Sequence, residues 1–286
     1  MNHDQVQVGG LAMLIQAGFE IAFTCPAPAP MLLQVHVRPE REHDLERPER
    51  LYTTPHTPYC TYVDSFGNRC TRLVAPTGTL KLSNLFRIRD SGVQETLPWG
   101  GRQALVNDLP DATLVFLLGS RYCDTDRLAT LAWKLFGKIE AGWPRVHAIL
   151  DYVHDRITFG YQYANAERTA SQCHRDKIGV CRDFAHLVIT LCRCMNVPAR
   201  YCTGYLGDIG VPANPAPMDF SAWADVFLDG KWHAIDARHN VPRIGRIVMA
   251  HGRDATDAAI STAFGTAELV HFKVVCDEVI SQAGQR

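Results

Sequence analysis

The chain has 286 residues, of which 47% are hydrophobic and 21% charged, the composition of a folded globular protein. Its 29 lysines and arginines nearly balance its 30 aspartates and glutamates, so no net charge attracts nucleic acid or an anionic membrane surface. No apolar run approaches the roughly 18 residues of a membrane span, and we expect neither nucleic acid nor a membrane as a partner.

The first five residues lack the basic segment and the apolar core of a signal peptide, which predicts a cytoplasmic location. Ten cysteines are scattered along the chain, and none belongs to a Cys-x-x-Cys pair. A disulfide scaffold or a zinc site is therefore not expected. We predict nine reduced packing cysteines, no metal and no cofactor.

Residues 14–90 show the alternation of apolar and polar positions that is typical of strands, for example at Phe19, Ile21 and Phe23. Turn residues separate about six such runs, which predicts an antiparallel β-sandwich. The charged run 38–50 is expected to be a solvated loop. A polar stretch without periodicity over 90–101 marks the predicted boundary between an N-terminal domain (1–95) and a core domain (96–286).

Beyond this linker the apolar residues recur at helical spacing, first after Asp124 and again from Trp143-Pro144, where proline suits the first turn of a helix. Residues 157–177 are predicted to be a loop. A period of two returns from Ala199, with strands expected near 201–205, 222–228, 232–235, 244–249 and 269–275. Helices followed by strands indicate an α+β domain with an antiparallel sheet.

Gly179-Val180-Cys181 opens an amphipathic run that ends at Asn196-Val197-Pro198. Cys181 is therefore predicted at the start of a buried helix, where unpaired N–H groups and the helix dipole lower the pKa of a thiol. This position favours a nucleophile, although a buried packing cysteine is the alternative for this stretch alone. Asp183 is expected to be a helix-start acid.

Asp229-Gly230 lies between two strand-like runs and predicts a hairpin with a two-residue loop. In that register Trp223 faces Asp236, and Ser221 is the diagonal neighbour of Asp236 on the same face. A histidine at 221 could be oriented by Asp236 and act on a thiol, which is the Cys-His-Asp arrangement for nucleophilic catalysis. The chain has serine there, and serine cannot act as that base.

Four motifs in this order resemble the transglutaminase-like superfamily, in particular its bacterial cysteine-protease branch. They are Gly179-Val180-Cys181, the Pro-Ala-Arg-x-x-x-Gly-Tyr run 198–205, Ser221-Ala222-Trp223 and the Trp-x-x-x-Asp run 232–236. The resemblance implies a β-rich N-terminal region, then a papain-like core of helices packed on an antiparallel sheet. It also implies that a thiolate attacks an amide of a peptide or protein to form a thioester, with hydrolysis favoured over crosslinking.

By this resemblance Cys181 is the nucleophile and Asp236 orients the base, whereas Ser221 occupies the position of the family's histidine. His239, just past the predicted strand end, is the first candidate for a relocated base. The other candidates are His233, His186 and His174. Arg238 could instead pair with Asp236 in a purely structural role. The alternative function is an inactive member that binds a peptide or protein partner.

Overall fold

The computed structural model describes residues 13–280 as an α+β fold, which confirms the predicted fold class. Antiparallel sheets form the N-terminal part, and helices pack on a further antiparallel sheet beyond them. The six strands of the first part are β1 (Met13–Cys25), β2 (Ala29–Leu33), β3 (Tyr52–Thr54), β4 (Tyr59–Val63), β5 (Arg69–Ala75) and β6 (Gly78–Asp90).

The helices and strands of the second part follow a loop after residue 90. The helices are α1 (Asp111–Leu114), α2 (Thr125–Phe136), α3 (Trp143–Arg156), α4 (Ala170–Asp176) and α5 (Cys181–Cys194). The strands are β7 (Thr158–Phe159), β8 (Ile178–Gly179), β9 (Ala199–Tyr205), β10 (Ser221–Leu228), β11 (Lys231–Ile235) and β12 (Ile247–Gly252). The two last strands are β13 (Ser261–Ala263) and β14 (Glu268–Glu278).

The two N-terminal sheets have the strand orders β14-β1-β6-β3 and β13-β2-β5-β4. They share one hydrophobic core because alternate residues of their strands are apolar and point inward. Ile15, Phe19 and Ile21 of β1 lie in this core together with Met31 and Leu33 of β2.

The C-terminal strands return to these N-terminal sheets. β14 pairs antiparallel with β1, and β13 pairs with β2. The strand predicted near 269–275 therefore exists but lies outside the core sheet. A period-two pattern predicts a strand, but it does not show which strand is its partner. The division into 1–95 and 96–286 stays a prediction, and its residues 1–12 and 281–286 lie outside the described part.

Helix α5 is the centre of the second part. Its residues from Asp183 to Cys194 are all buried, between β9 and β10 on one side and α2, α3 and α4 on the other. The sheet beneath it has the order β11-β10-β9-β12, with antiparallel neighbours throughout. This packing places the first residue of α5, Cys181, at the end of the sheet where β10 begins.

The β10–β11 hairpin has the predicted register, with Leu228 opposite Lys231 and Val226 opposite His233. Asp229 and Gly230 both have positive φ, at 52° and 76°, as a two-residue loop of this kind requires. Strand β11, however, ends at Ile235. The predicted pair of Trp223 with Asp236 is not formed, because the chain turns back after Ile235.

Two segments differ from the sequence predictions. The charged run 38–50 contains a 3-10 helix, Pro39–Asp44, and is not wholly solvated, since Arg38 is only 5% exposed. The expected loop 157–177 contains α4, which begins with a Thr169–Gln172 capping box that is visible in the sequence. Within residues 13–280, no helix combines the length and apolarity needed to cross a bilayer.

Candidate active site

The helix start at Cys181 is built by the residues that flank it. The Asp183 carboxylate accepts a hydrogen bond from the Val180 N–H at 2.9 Å and pairs with Arg168 at 3.1 Å. A Cβ on Gly179 would lie 2.6 Å from the Cβ of Asp183, so glycine is required for this close approach. The Gly-x-Cys motif and Asp183 thus fix the backbone that leads into Cys181. Asp183 is an acid in the first turn of α5, as predicted, and it is also a buried ion-pair partner.

Cys181 is 9% exposed and lines a cleft of about 360 Å³, which we call the cysteine cleft. The lining residues include Asp219, Phe220 and Ser221 from the chain that enters β10, and Phe272 from β14. Cys181 therefore lies at a concave surface to which Phe220 and Phe272 contribute apolar side chains.

The cleft raises the pKa of the Cys181 thiol to about 11. Burial is the largest cause, and the negative charges of Asp219 and Asp236 add to it, whereas Arg238 and the Ala222 N–H act in the opposite direction. The prediction of a lowered pKa was wrong, because the partial positive charge of a helix start does not offset the loss of hydration at this sulfur. The resting nucleophile candidate is a thiol.

Asp236 and His239 form a hydrogen-bonded pair, with the Asp236 Oδ2 atom 2.9 Å from His239 Nδ1. The same Oδ2 accepts from Arg246 at 3.1 Å, while Oδ1 accepts the backbone N–H groups of Arg238 and His239. These donors hold the pKa of Asp236 well below its usual range despite its burial. A carboxylate that binds Nδ1 fixes the orientation of the imidazole and leaves Nε2 as the proton acceptor.

Arg238 does not pair with Asp236 through its side chain. Its guanidinium carbon lies 3.9 Å from the centroid of the Phe159 ring, a cation–π contact. The structural role expected for Arg238 falls instead to Arg246, whose side chain is 6% exposed and bridges Asp236 and Glu95.

Ser221 lines a cavity with Cys181 and another cavity with His239. It lies at the first position of β10, is 6% exposed, and lines both the cysteine cleft and a smaller cavity of about 70 Å³ that His239 and Arg238 also line. The position that holds histidine in the family thus lines one cavity together with Cys181 and a second cavity together with His239.

Asp219 is a site residue that the sequence analysis missed. It lines both cavities, and burial raises the pKa of its carboxyl group against the opposing effects of the Phe220 N–H and Arg238. Its place two residues before Ser221, in the chain that enters β10, was the available signal.

The other candidate histidines have partners elsewhere, and none lines either cavity. His233 packs edge-on against Trp143, on the face opposite to the predicted Asp236 face. His186 is fully buried and stacked on Tyr122, where burial lowers its pKa to about 3. His174 Nε2 lies 2.7 Å from the Tyr152 hydroxyl.

All ten cysteines are free thiols, and nine of them are buried, Cys181 included. The expectation of nine packing cysteines besides Cys181 is wrong for Cys60, which is exposed on strand β4.

Comparison with known proteins agrees with this fold. Residues 130–237 match the family described as the transglutaminase-like superfamily. A solved structure from Cytophaga hutchinsonii, described as "a Putative Cysteine Protease", is 32% identical with a TM-score of 0.80, and the match covers 95% of this chain and 92% of that one. The chain belongs to the transglutaminase-like superfamily.

An uncharacterized protein of Mycobacterium leprae (strain TN) is 34% identical over 84 residues. That match covers 28% of this chain and 30% of the mycobacterial protein, so the similarity spans less than a third of that relative's length.

The raised pKa of Cys181 makes its alkylation strongly pH-dependent. We expect the rate constant for iodoacetamide at Cys181 to be low at pH 7 and to rise with a midpoint well above the ordinary thiol value, towards about 11, because only the thiolate reacts. Peptide mapping by mass spectrometry measures the rate, and exposed Cys60 in the same digests controls for reagent quality. If the alkylation rate constant at Cys181 has already reached its plateau at pH 7, the original prediction of a stabilised thiolate would be correct.

Proposed function

We propose that the protein is a cysteine-type enzyme that hydrolyses amide bonds of peptides or proteins through a thioester on Cys181. The Asp236–His239 hydrogen bond of 2.9 Å is the observation that carries the proposal. It supplies an oriented imidazole in a chain that has serine at the position of the family's histidine. In this proposal His239 is the base, Asp236 is its orienting partner, and Ser221 has no proton-transfer role.

The proposed reaction begins when His239 Nε2 accepts the proton of the Cys181 thiol and the sulfur attacks the substrate carbonyl carbon. The tetrahedral intermediate then collapses, the C–N bond breaks, and the amine leaves with the proton from His239. Water next attacks the thioester with His239 again accepting a proton, which releases the acid and the Cys181 thiol. Because burial raises the pKa of Cys181, attack by the sulfur requires an acceptor for the thiol proton.

The second candidate is a catalytically impaired member that uses the cysteine cleft to bind a peptide or protein. Two observations favour it, namely Ser221 at the family's histidine position and the raised pKa of Cys181. Both candidates use the same cleft, and they differ in whether a base reaches the thiol.

A Ser221→His variant separates the two candidates. We expect the parent protein to hydrolyse a fluorogenic peptide library above the background set by Cys181→Ala, and Ser221→His to change that rate by less than about tenfold, since His239 already supplies a base. Activity that is absent from the parent and appears only in Ser221→His would establish the impaired member instead. Added amine in the same assay measures transfer against hydrolysis, which we expect to dominate.

A cytoplasmic location also stays a prediction from the sequence, and fractionation of the producing cell would test it.

A further inference from the structure

A second group of reactive side chains lies on the central sheet, on strands β9, β10 and β12. The Cys202 sulfur, a carboxylate oxygen of Asp225 and a ring nitrogen of His251 all lie within 4.8 Å of one another. Cys202 is fully buried, and Asp225 and His251 are 7% and 8% exposed. The proposed reaction on Cys181 makes no use of these three residues.

The sheet register explains why three residues so distant in sequence converge. His251 of β12 and Trp223 of β10 both pair with Cys202 of β9, and Asp225 lies two residues after Trp223 on the same face. The other face of β10, with Ala224 and Val226, packs in the hydrophobic core that contains α5. The three side chains therefore project from the face of the sheet away from the body of α5.

A residue of the N-terminal part of the chain holds the His251 backbone of this group in place. The side chain of Asn68, which is fully buried, accepts the His251 N–H at 2.8 Å and donates to the His251 carbonyl at 2.7 Å. Arg200 Nε donates to Oδ2 of Asp225 at 2.9 Å, and Arg200 Nη2 lies 2.8 Å from the same oxygen in an ion pair, which leaves Oδ1 for a different partner. Outer contacts of this kind orient ligands in metal sites.

We propose that Cys202, Asp225 and His251 bind one zinc-type divalent ion between the N-terminal sheets and the core sheet. Thiolate, imidazole and carboxylate are the ligands of borderline-soft Zn²⁺, and three protein ligands leave its fourth position to water. Ligand atoms around tetrahedral zinc are about 3.3–3.8 Å apart, so the three atoms need to move closer by about 1.5 Å at most.

The charges of the site suit a divalent ion once Cys202 has lost its proton. The thiolate and the Asp225 carboxylate together neutralise the two positive charges of the metal, while Arg200 stays bound to the outer oxygen of Asp225. Burial together with Arg200 and Arg38 lowers the pKa of His251 and keeps its ring unprotonated. Burial raises the pKa of Cys202, so metal binding must release a proton and should weaken as the pH falls.

Cobalt titration of chelator-stripped protein tests this site. We expect one Co²⁺ per chain, with the near-ultraviolet charge-transfer absorption of a thiolate–cobalt bond, and displacement of Co²⁺ by Zn²⁺. Cys202→Ser should abolish the absorption, and His251→Gln should weaken binding at least tenfold. Cys60→Ser and Cys181→Ala should both keep it, which excludes the exposed thiol and the candidate active site as the source.

No thiolate–cobalt absorption in the parent protein would overturn the proposal, whatever the variants do. The same absorption at full strength in a folded Cys202→Ser variant would also overturn it. The parent titration keeps the test decisive even if the buried variants fail to fold. Neither outcome bears on amide hydrolysis at Cys181, because Cys202, Asp225 and His251 line neither the cysteine cleft nor the smaller cavity beside His239.

Discussion

Replacing His239 with alanine is expected to lower kcat/KM for amide hydrolysis by about a thousandfold or more, the effect of losing a positioned general base. The effect should be large because burial raises the pKa of Cys181 to about 11. Without a proton acceptor, only a small fraction of Cys181 side chains would be thiolates at neutral pH. Steady-state kinetics against the Cys181→Ala background measure the loss. Most of the loss should appear in kcat, since His239 accepts a proton during the chemical step and does not bind the substrate.

His233→Gln is the matched control, because His233 belongs to the same hairpin region but packs against Trp143. We expect it to keep near-parental activity. A His239→Ala variant that folds normally and keeps more than about a tenth of the parental kcat/KM would show that another group takes the proton. Asp219, which lines the cysteine cleft beside Cys181, would then be the residue to replace next.

The hairpin illustrates how much of this site the sequence can predict. Asp229-Gly230 is sufficient for the β10–β11 register, because a two-residue loop determines which residues face each other. The contact between His239 and Asp236 could not be derived from that pattern, since it depends on where β11 ends. Asp236 accepts the N–H of His239 and binds Arg246, and only the folded chain brings that arginine to it.

Cys181 shows the same division between local and long-range information. Its place at a helix start follows from the glycine before it and the apolar spacing after it. Its pKa does not follow, because it is determined by burial and by the charges of Asp219, Asp236 and Arg238, which reach it from distant parts of the chain. The candidate zinc ligands are a stronger case, since Cys202, Asp225 and His251 have no motif spacing and meet only through strand register.

The largest expected loss of stability follows from the residue that positions Cys181. Replacing Asp183 with alanine should lower the free energy of unfolding by about 3 kcal/mol or more, since the buried guanidinium of Arg168 loses a hydrogen-bond acceptor. The side chain of Asp183 is fully buried, and that of its partner Arg168 is 8% exposed. The Val180 N–H, 2.9 Å from the carboxylate, would lose its acceptor as well.

Asp183→Asn is the matched control for that variant. The amide oxygen can still accept the Val180 N–H, and burial already raises the pKa of Asp183, which means that its ion pairs do not fully repay the cost of burying the charge. We therefore expect asparagine to cost only about 1 kcal/mol, the net value of an ordinary hydrogen bond. Urea unfolding followed by circular dichroism compares the two variants. Equal losses for alanine and asparagine would show that the negative charge, and not the hydrogen bond to Val180, holds the start of α5 in place beneath Cys181.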